Sequence, residues 1–216
     1  MDITGKKVAF LGDSITAGVG ASAYEHCYVG RFEKAYPQTA IRNYGVSGSR
    51  IARQSVIDPN NGHDRDFNMR VAEMEEGADL VVIFGGTNDF GHGDAPFGQF
   101  GDKGVYTFYG AVYSLYESLL NKYPEAQFVV ITPLHRYRAA EHTVSIQGAT
   151  LEQYVQAIRE TAELFSFPVL DLYATSGINP RFEVIRERMM PDGLHPNDCG
   201  YQRLFERIDN FIKNNI

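Results

Sequence analysis

Val8-Ala9-Phe10-Leu11 runs directly into Gly12-Asp13-Ser14-Ile15-Thr16 near the start of the chain. A continuous apolar run of this length reads as a strand buried on both faces, the kind that sits in a parallel sheet covered by helices. Gly12-Asp13-Ser14 then makes a tight turn, with the serine at its tip. Open α/β sheets place their ligands at the carboxyl ends of strands, so Ser14 stands where chemistry is done in such folds.

Four more runs of strand length follow: Ile41–Tyr44, Leu80–Phe84, Phe128–Ile131 and Val169–Leu172. Helical patterns lie between them. Phe108, Val112, Leu115, Leu119 and Leu120 recur at helical spacing, and Tyr123-Pro124 closes that segment. Leu151, Tyr154, Val155, Ile158, Ala162 and Phe165 form a second stripe, and Leu204, Phe205, Ile208, Phe211 and Ile212 a third. Shorter helices are expected over Val29–Ala35 and Phe67–Glu75. Alternating strands and helices predict an α/β fold, a three-layer α/β/α sandwich around a doubly wound parallel five-stranded sheet. The 216 residues fit one such domain over 1–216.

Three stretches exceed ordinary connections: Asn88 to Val105, Pro133 to Gly148, and Ala174 to Pro191. Long loops in a compact domain are usually functional. Each follows a strand, so all three belong to the edge that carries Ser14.

Composition narrows the function. A net charge of −7 argues against a nucleic-acid or anionic-membrane surface, because both need clustered Lys and Arg. Cys27 and Cys199 are too few and too far apart for a disulfide framework, so two free thiols in a reducing compartment are expected. No apolar stretch follows a basic start at Met1, so no signal peptide is read and the expected address is cytoplasmic.

A serine nucleophile needs a base and an oxyanion hole. Asp192-Gly193-Leu194-His195 supplies a carboxylate and an imidazole three residues apart. The carboxylate can fold back onto Nδ1–H, leaving Nε2 to take the serine proton. Asn88, after Phe84-Gly85-Gly86-Thr87, can aim an amide donor into the same cleft, and Gly48 can present a bare backbone N–H. Each residue also has an ordinary reading. Ser14 suits a turn or a helix N-cap, Asp192 an Asx-turn, and Asn88 and Gly48 plain turns. Their convergence on one sheet edge favours the chemical reading.

These residues resemble a known family. Gly12-Asp13-Ser14, Gly48, Gly86-Thr87-Asn88-Asp89 and Asp192-Gly193-Leu194-His195 resemble, in order and spacing, the four signature blocks of the SGNH hydrolases, also called GDSL esterases and lipases. The resemblance covers about residues 7 to 200. It implies a flavodoxin-like fold with Ser14 as nucleophile, His195 as base and Asp192 as its orienter. It also implies an oxyanion hole from the N–H groups of Ser14 and Gly48 and the Asn88 side chain. Ile15 stands where the family name has leucine, an apolar packing position. The family spans acetylesterases, lysophospholipases, thioesterases and arylesterases, so the motifs name no substrate.

Rival motifs fail. Gly18-Val19-Gly20-Ala21-Ser22-Ala23 fits G-x-G-x-x-A, but it begins seven residues after Leu11, and no acid ends the second strand. No phosphate-binding loop signature occurs, and the six histidines show no zinc spacing, so no metal or cofactor is expected. The expected partner is a small-molecule ester. Phe90, Tyr106, His135 and Tyr137 are candidate substrate contacts, with Phe97, Phe100, Phe108, Arg136 and Arg138 nearby in sequence. Aromatic faces mixed with donors suit a polar ring, so the expectation is a short acyl group, acetyl above all, on a carbohydrate or other polar alcohol. A lysophospholipase or thioesterase is the alternative within the family. A non-catalytic binding domain that kept the fold is the alternative outside it.

Overall fold

The structure is a computed structural model, and it describes residues 1–57, 62–137 and 144–216. Arg138, one of the expected donors, lies outside the described residues. The strands are β1 (Lys7–Gly12), β2 (Ala40–Gly45), β3 (Leu80–Phe84), β4 (Gln127–Ile131) and β5 (Val169–Leu170). All pair in parallel, in the order β2-β1-β3-β4-β5. That is the flavodoxin-like order, with a switch point where β1 and β3 leave in opposite directions.

Alternate residues of each strand feed opposite faces of the sheet, as the strand period requires. Ala9, Leu11, Val81, Ile83, Phe128 and Val130 enter one core cluster. Their neighbours Val8, Phe10, Leu80, Val82, Phe84, Val129 and Ile131 enter the other. The first face is covered by α3 (Phe67–Val71), α5 (Phe108–Lys122) and α6 (Leu151–Leu164). The second is covered by α2 (Tyr28–Ala35) and α9 (Asp198–Asn215). Burying each large side chain contributes about 1.5–3 kcal/mol, so these two layers are the main stabilising term.

Caps fix where the helices begin. Thr150 and Gln153 form a reciprocal capping box at α6, and Thr107 caps α5 through the Gly110 N–H. Among the described residues no helix is long and apolar enough to cross a membrane.

Several boundaries differ from the sequence expectation. The run Val169–Leu172 stops being strand at Leu170, because Asp171 caps a short helix α7 (Leu172–Thr175) by accepting from the Ala174 N–H. Phe67–Glu75 ends as helix at Val71. The expected loop at Asn88 begins instead as helix α4 (Thr87–His92), and Ala174 to Pro191 contains α8 (Glu183–Met189). Leu120, expected in the buried stripe of α5, is exposed. The apolar face of α5 is carried by Phe108, Val112, Leu115 and Leu119, and Leu120 falls one position off it.

Candidate active site

Ser14 is the first residue of the four-residue helix α1 (Ser14–Ala17), which leaves β1 after a single residue. That residue, Asp13, is the N-cap, and its Oδ1 accepts from the Ile15 N–H at 3.0 Å. The helix is pinned from behind. The Tyr201 hydroxyl donates to the carbonyl oxygens of Ile15 and Val19, at 3.1 and 2.7 Å. The sequence expectation of a tight turn is therefore a capped helix start, and it holds the serine in one place.

His195 arrives from the far end of the chain. Asn197 caps α9 by accepting from the N–H groups of Cys199 and Gly200. The preceding segment is held by Gly193 N–H to Met190 O at 2.8 Å, Asn197 N–H to Met189 O at 2.9 Å, and Tyr137 N–H to Gly193 O at 2.8 Å. The imidazole Nε2 lies 3.0 Å from Ser14 Oγ, and Nδ1 lies 2.6 Å from Asp192 Oδ2. The other carboxylate oxygen, Oδ1, accepts from the N–H groups of Leu194 and His195 at 2.8 and 2.7 Å. Burial pushes the Asp192 carboxyl up, but these N–H donors and the His195 ring outweigh it and hold the group below the usual carboxylate range. An ionised Asp192 thus faces Nδ1, which favours the Nδ1–H tautomer and leaves Nε2 as an acceptor for the serine proton.

Gly48 lies in the turn after β2, at φ +73°, where an added Cβ would sit 2.7 Å from the His63 ring. Only glycine fits both the backbone conformation and the space. Asn88 is buried in α4, behind Gly86 at φ +103°. Its Nδ2 donates to the Ser49 carbonyl oxygen at 3.0 Å. Among the described residues no protein acceptor takes the N–H of Ser14 or of Gly48. The structure therefore brings Ser14, Gly48, Asn88, Asp192 and His195 to the carboxyl ends of the strands, with free donor capacity on the Ser14 and Gly48 backbone and on the Asn88 amide. Such a set can polarise a carbonyl and stabilise the oxyanion formed when the hydroxyl adds to it.

Two supporting residues were not read from the sequence. Asp89, adjacent to Asn88, accepts from the N–H groups of Ile51 and Ala52 at 3.0 and 2.9 Å, tying α4 to the segment after Gly48. Burial pushes its carboxyl up to about 6. Arg70 donates from Nη1 to Gly12 O at 3.1 Å and from Nη2 to Ser49 Oγ at 2.9 Å, and it also donates to Tyr44 O. An arginine on the buried side of a helix was the available signal for it. The signal for Asp89 was a carboxylate directly after Asn88, in the third signature block.

The expected substrate contacts divide. Phe90 is a correction. It is buried in the core, edge-to-face with Tyr154, and so it packs α4 against α6. Phe97 stacks on Phe108 and meets Tyr154 edge-to-face, and Phe108 packs on Tyr154 at a tilt. Tyr106 is exposed beside the Arg53 guanidinium. His135 stacks on Tyr173 with ring centroids 3.9 Å apart, and burial, aided by Arg181, pushes its imidazole below the usual range. Tyr137 is half-exposed, and its backbone is bonded to Gly193. A cavity of about 190 Å³ adjoins it, lined by Arg136, Asp192, Gly193 and Leu194. Arg136 Nη1 donates to the Thr87 carbonyl at 2.8 Å, next to Asn88. Among the described residues no cluster of His, Cys, Asp and Glu is placed to hold a metal ion.

Residues 10–203 match the GDSL-like Lipase/Acylhydrolase family, and the chain belongs to that family of ester hydrolases. No curated protein matches the chain. A solved protein from Lactobacillus plantarum is 28% identical, with a TM-score of 0.86 and 100% of each chain covered. A possible lipase from Chitinophaga pinensis is 21% identical, with a TM-score of 0.68, covering 96% of this chain and 98% of its own. A two-domain esterase active on acetylated mannans is 19% identical, with a TM-score of 0.60, covering 96% of this chain and 49% of its own. The last two share the fold.

Proposed function

We propose that the protein is a serine esterase in which Ser14 is the nucleophile, His195 the general base and Asp192 its orienter. The single observation that carries this reading is the contact of Ser14 Oγ with His195 Nε2 and of His195 Nδ1 with Asp192 Oδ2, at 3.0 and 2.6 Å. Ser14 Oγ attacks the acyl carbonyl as its proton passes to Nε2. The N–H groups of Ser14 and Gly48 and the Asn88 amide stabilise the tetrahedral oxyanion. The imidazolium then protonates the leaving alcohol, and the acyl group remains on Ser14. Water, deprotonated by the same Nε2, hydrolyses that ester and restores the hydroxyl.

The substrate is a short-acyl ester, acetyl above all, of a carbohydrate or another polar alcohol. Two features support this. The cavity beside Asp192 is small, about 190 Å³, and polar groups of Arg136 and Asp192 contribute to its lining. Most aromatics of the loop after β3 pack inward, and among the described residues they form no broad apolar channel for a fatty chain.

The test is a p-nitrophenyl ester series from acetate to laurate, run beside acetylated sugars. The proposal expects kcat/KM to be highest for acetate and acetyl sugars to be cleaved. A steady rise with chain length, with acetyl sugars untouched, points to a lipid substrate and overturns the short-acyl reading. No hydrolysis of any ester points to a binding domain and overturns the esterase reading.

A further inference from the structure

Arg70 is 3% exposed on α3 and lies beneath the site. Its guanidinium stacks over the Phe67 ring, 4.5 Å from the centroid. The fork of donors reaches three places at once: the last residue of β1 at Gly12, the end of β2 at Tyr44, and the Ser49 hydroxyl. Gly12 lies two residues before Ser14, and Ser49 follows Gly48 directly. Ser49 passes the constraint on. Its Oγ donates to Val46 O at 2.7 Å, and its carbonyl accepts from Asn88 Nδ2 at 3.0 Å. Val46 N–H in turn donates to Gly12 O at 3.1 Å.

We propose that Arg70 is a positioning residue for the oxyanion-stabilising groups. It holds Ser49, and through it Gly48 and Asn88, in register with the strand end that presents Ser14. This inference rests on the serine-esterase reading above.

The physical case is one of geometry against cost. Burying a guanidinium is expensive, and an apolar side chain of similar volume often packs a core as well or better. Burial here lowers the Arg70 pKa only to about 10, so the group remains a cation at neutral pH. Among the described residues its Nε finds no hydrogen-bond partner, so the site accepts an orphaned buried donor as well. What the residue supplies in return is a planar set of donors bridging two strand ends and a turn. A lysine ammonium, which is a point charge, cannot reproduce that fork. The acceptors it serves are two or fewer residues from Ser14, Gly48 or the partner of Asn88, except Tyr44. Small displacements of an oxyanion donor are costly, because about 1 Å of misplacement can lose roughly 10²-fold in rate.

The experiment uses the full chain and compares wild type with Arg70→Met, Arg70→Lys, Ser49→Ala and the double variant Arg70→Lys/Ser49→Ala. The readouts are kcat and KM on p-nitrophenyl acetate, the rate of Ser14 labelling by a fluorophosphonate, and thermal unfolding to establish that each variant is folded at the assay temperature. Arg70→Met is expected to lose about 10²-fold in kcat with KM within about threefold, since the oxyanion forms only in the transition state. Arg70→Lys and Ser49→Ala are each expected to lose about tenfold, and the double variant less than their product, because they break the same connection. The labelling rate should fall in parallel with kcat/KM. Should Arg70→Met fail to fold, the Lys and Ser49→Ala pair and their double variant decide the matter. Folded variants with kcat within threefold of wild type, a loss confined to KM, or a fully multiplicative double variant overturns the positioning role. A wild-type chain that neither hydrolyses esters nor labels at Ser14 overturns the esterase reading, and the role of Arg70 with it. Active, labelled wild type with unaffected variants overturns only the role of Arg70.

Discussion

The Asn88 side-chain amide donates one of its two N–H groups to the Ser49 carbonyl oxygen at 3.0 Å. That bond fixes the amide orientation and leaves the second N–H for a ligand. The structure thus ties Asn88 directly to the residue that follows Gly48, so one hydrogen bond links the segments that carry the two expected oxyanion donors.

Removing the Asn88 donor should therefore act on the transition state. Asn88→Ala is expected to lower kcat by about 10²–10³-fold, or roughly 2.7–4 kcal/mol, with little change in KM. Asn88→Asp should be worse, because an acceptor-only carboxylate would face both the Ser49 carbonyl and the oxyanion. Steady-state kinetics on an activated acetate ester checks both. A rise in KM with kcat unchanged would assign Asn88 to ground-state binding instead.

The pH dependence of activity should carry no contribution from Asp192 above pH 5. The Asp192 carboxyl is held below the usual carboxylate range, so it stays ionised from pH 5 to 8. A histidine base must be neutral to accept the serine proton, so kcat/KM should fall under acid conditions that charge the imidazole. Asp192→Asn should keep its carbonyl on the Leu194 and His195 N–H groups and turn its NH₂ toward Nδ1. That makes Nδ1 an acceptor and Nε2 a donor, the wrong tautomer, and a loss of about 10⁴-fold is expected. An Asp192→Asn variant within tenfold of wild type would contradict a histidine base oriented by this carboxylate.

Asp13 carries a stability prediction. It is 2% exposed, and burial pushes its carboxyl up to about 6 despite the Ile15 N–H and the nearby positive groups. A raised folded-state pKa stabilises the protonated form, so this contribution is present below pH 4 and is lost as pH rises through about 6. Asp13→Asn keeps a cap oxygen for Ile15 without the buried charge. It should match wild type in stability near pH 4 and exceed it at pH 7–8, by at most roughly 3 kcal/mol. Denaturant unfolding at the two pH values measures the difference. An Asn variant less stable than wild type at pH 8 would show that the ionised carboxylate is held favourably.

The strands were legible because a sheet buried on both faces writes itself as unbroken apolar runs. Val8–Leu11 and Leu80–Phe84 lie wholly within strands of the structure. The long helices were legible through their stripes and caps. Leu172 was misassigned because its apolarity serves a helix that begins only after Asp171 turns the chain, and capping is invisible to a run of hydrophobic letters. Ser14, Gly48, Asn88, Asp192 and His195 could be picked out because each sits at a strand end or beside a turn residue. The supports could not. Asp89 acts on Ile51 and Ala52, and Arg70 on Gly12 and Ser49, through contacts between distant parts of the chain. Phe90 was misread for the same reason: only the fold shows that its ring faces Tyr154.

The most direct test of the account is covalent labelling of the native chain with a fluorophosphonate, read by peptide mass spectrometry. The account predicts one adduct, on the peptide that carries Ser14, forming in step with loss of hydrolysis of an activated acetate ester. Ser14→Ala should take no label and lose essentially all activity while its far-UV circular dichroism stays native. Hydrolysis within tenfold of wild type in a natively folded Ser14→Ala, or an adduct on another residue accompanying the loss of activity, would contradict Ser14 as the nucleophile.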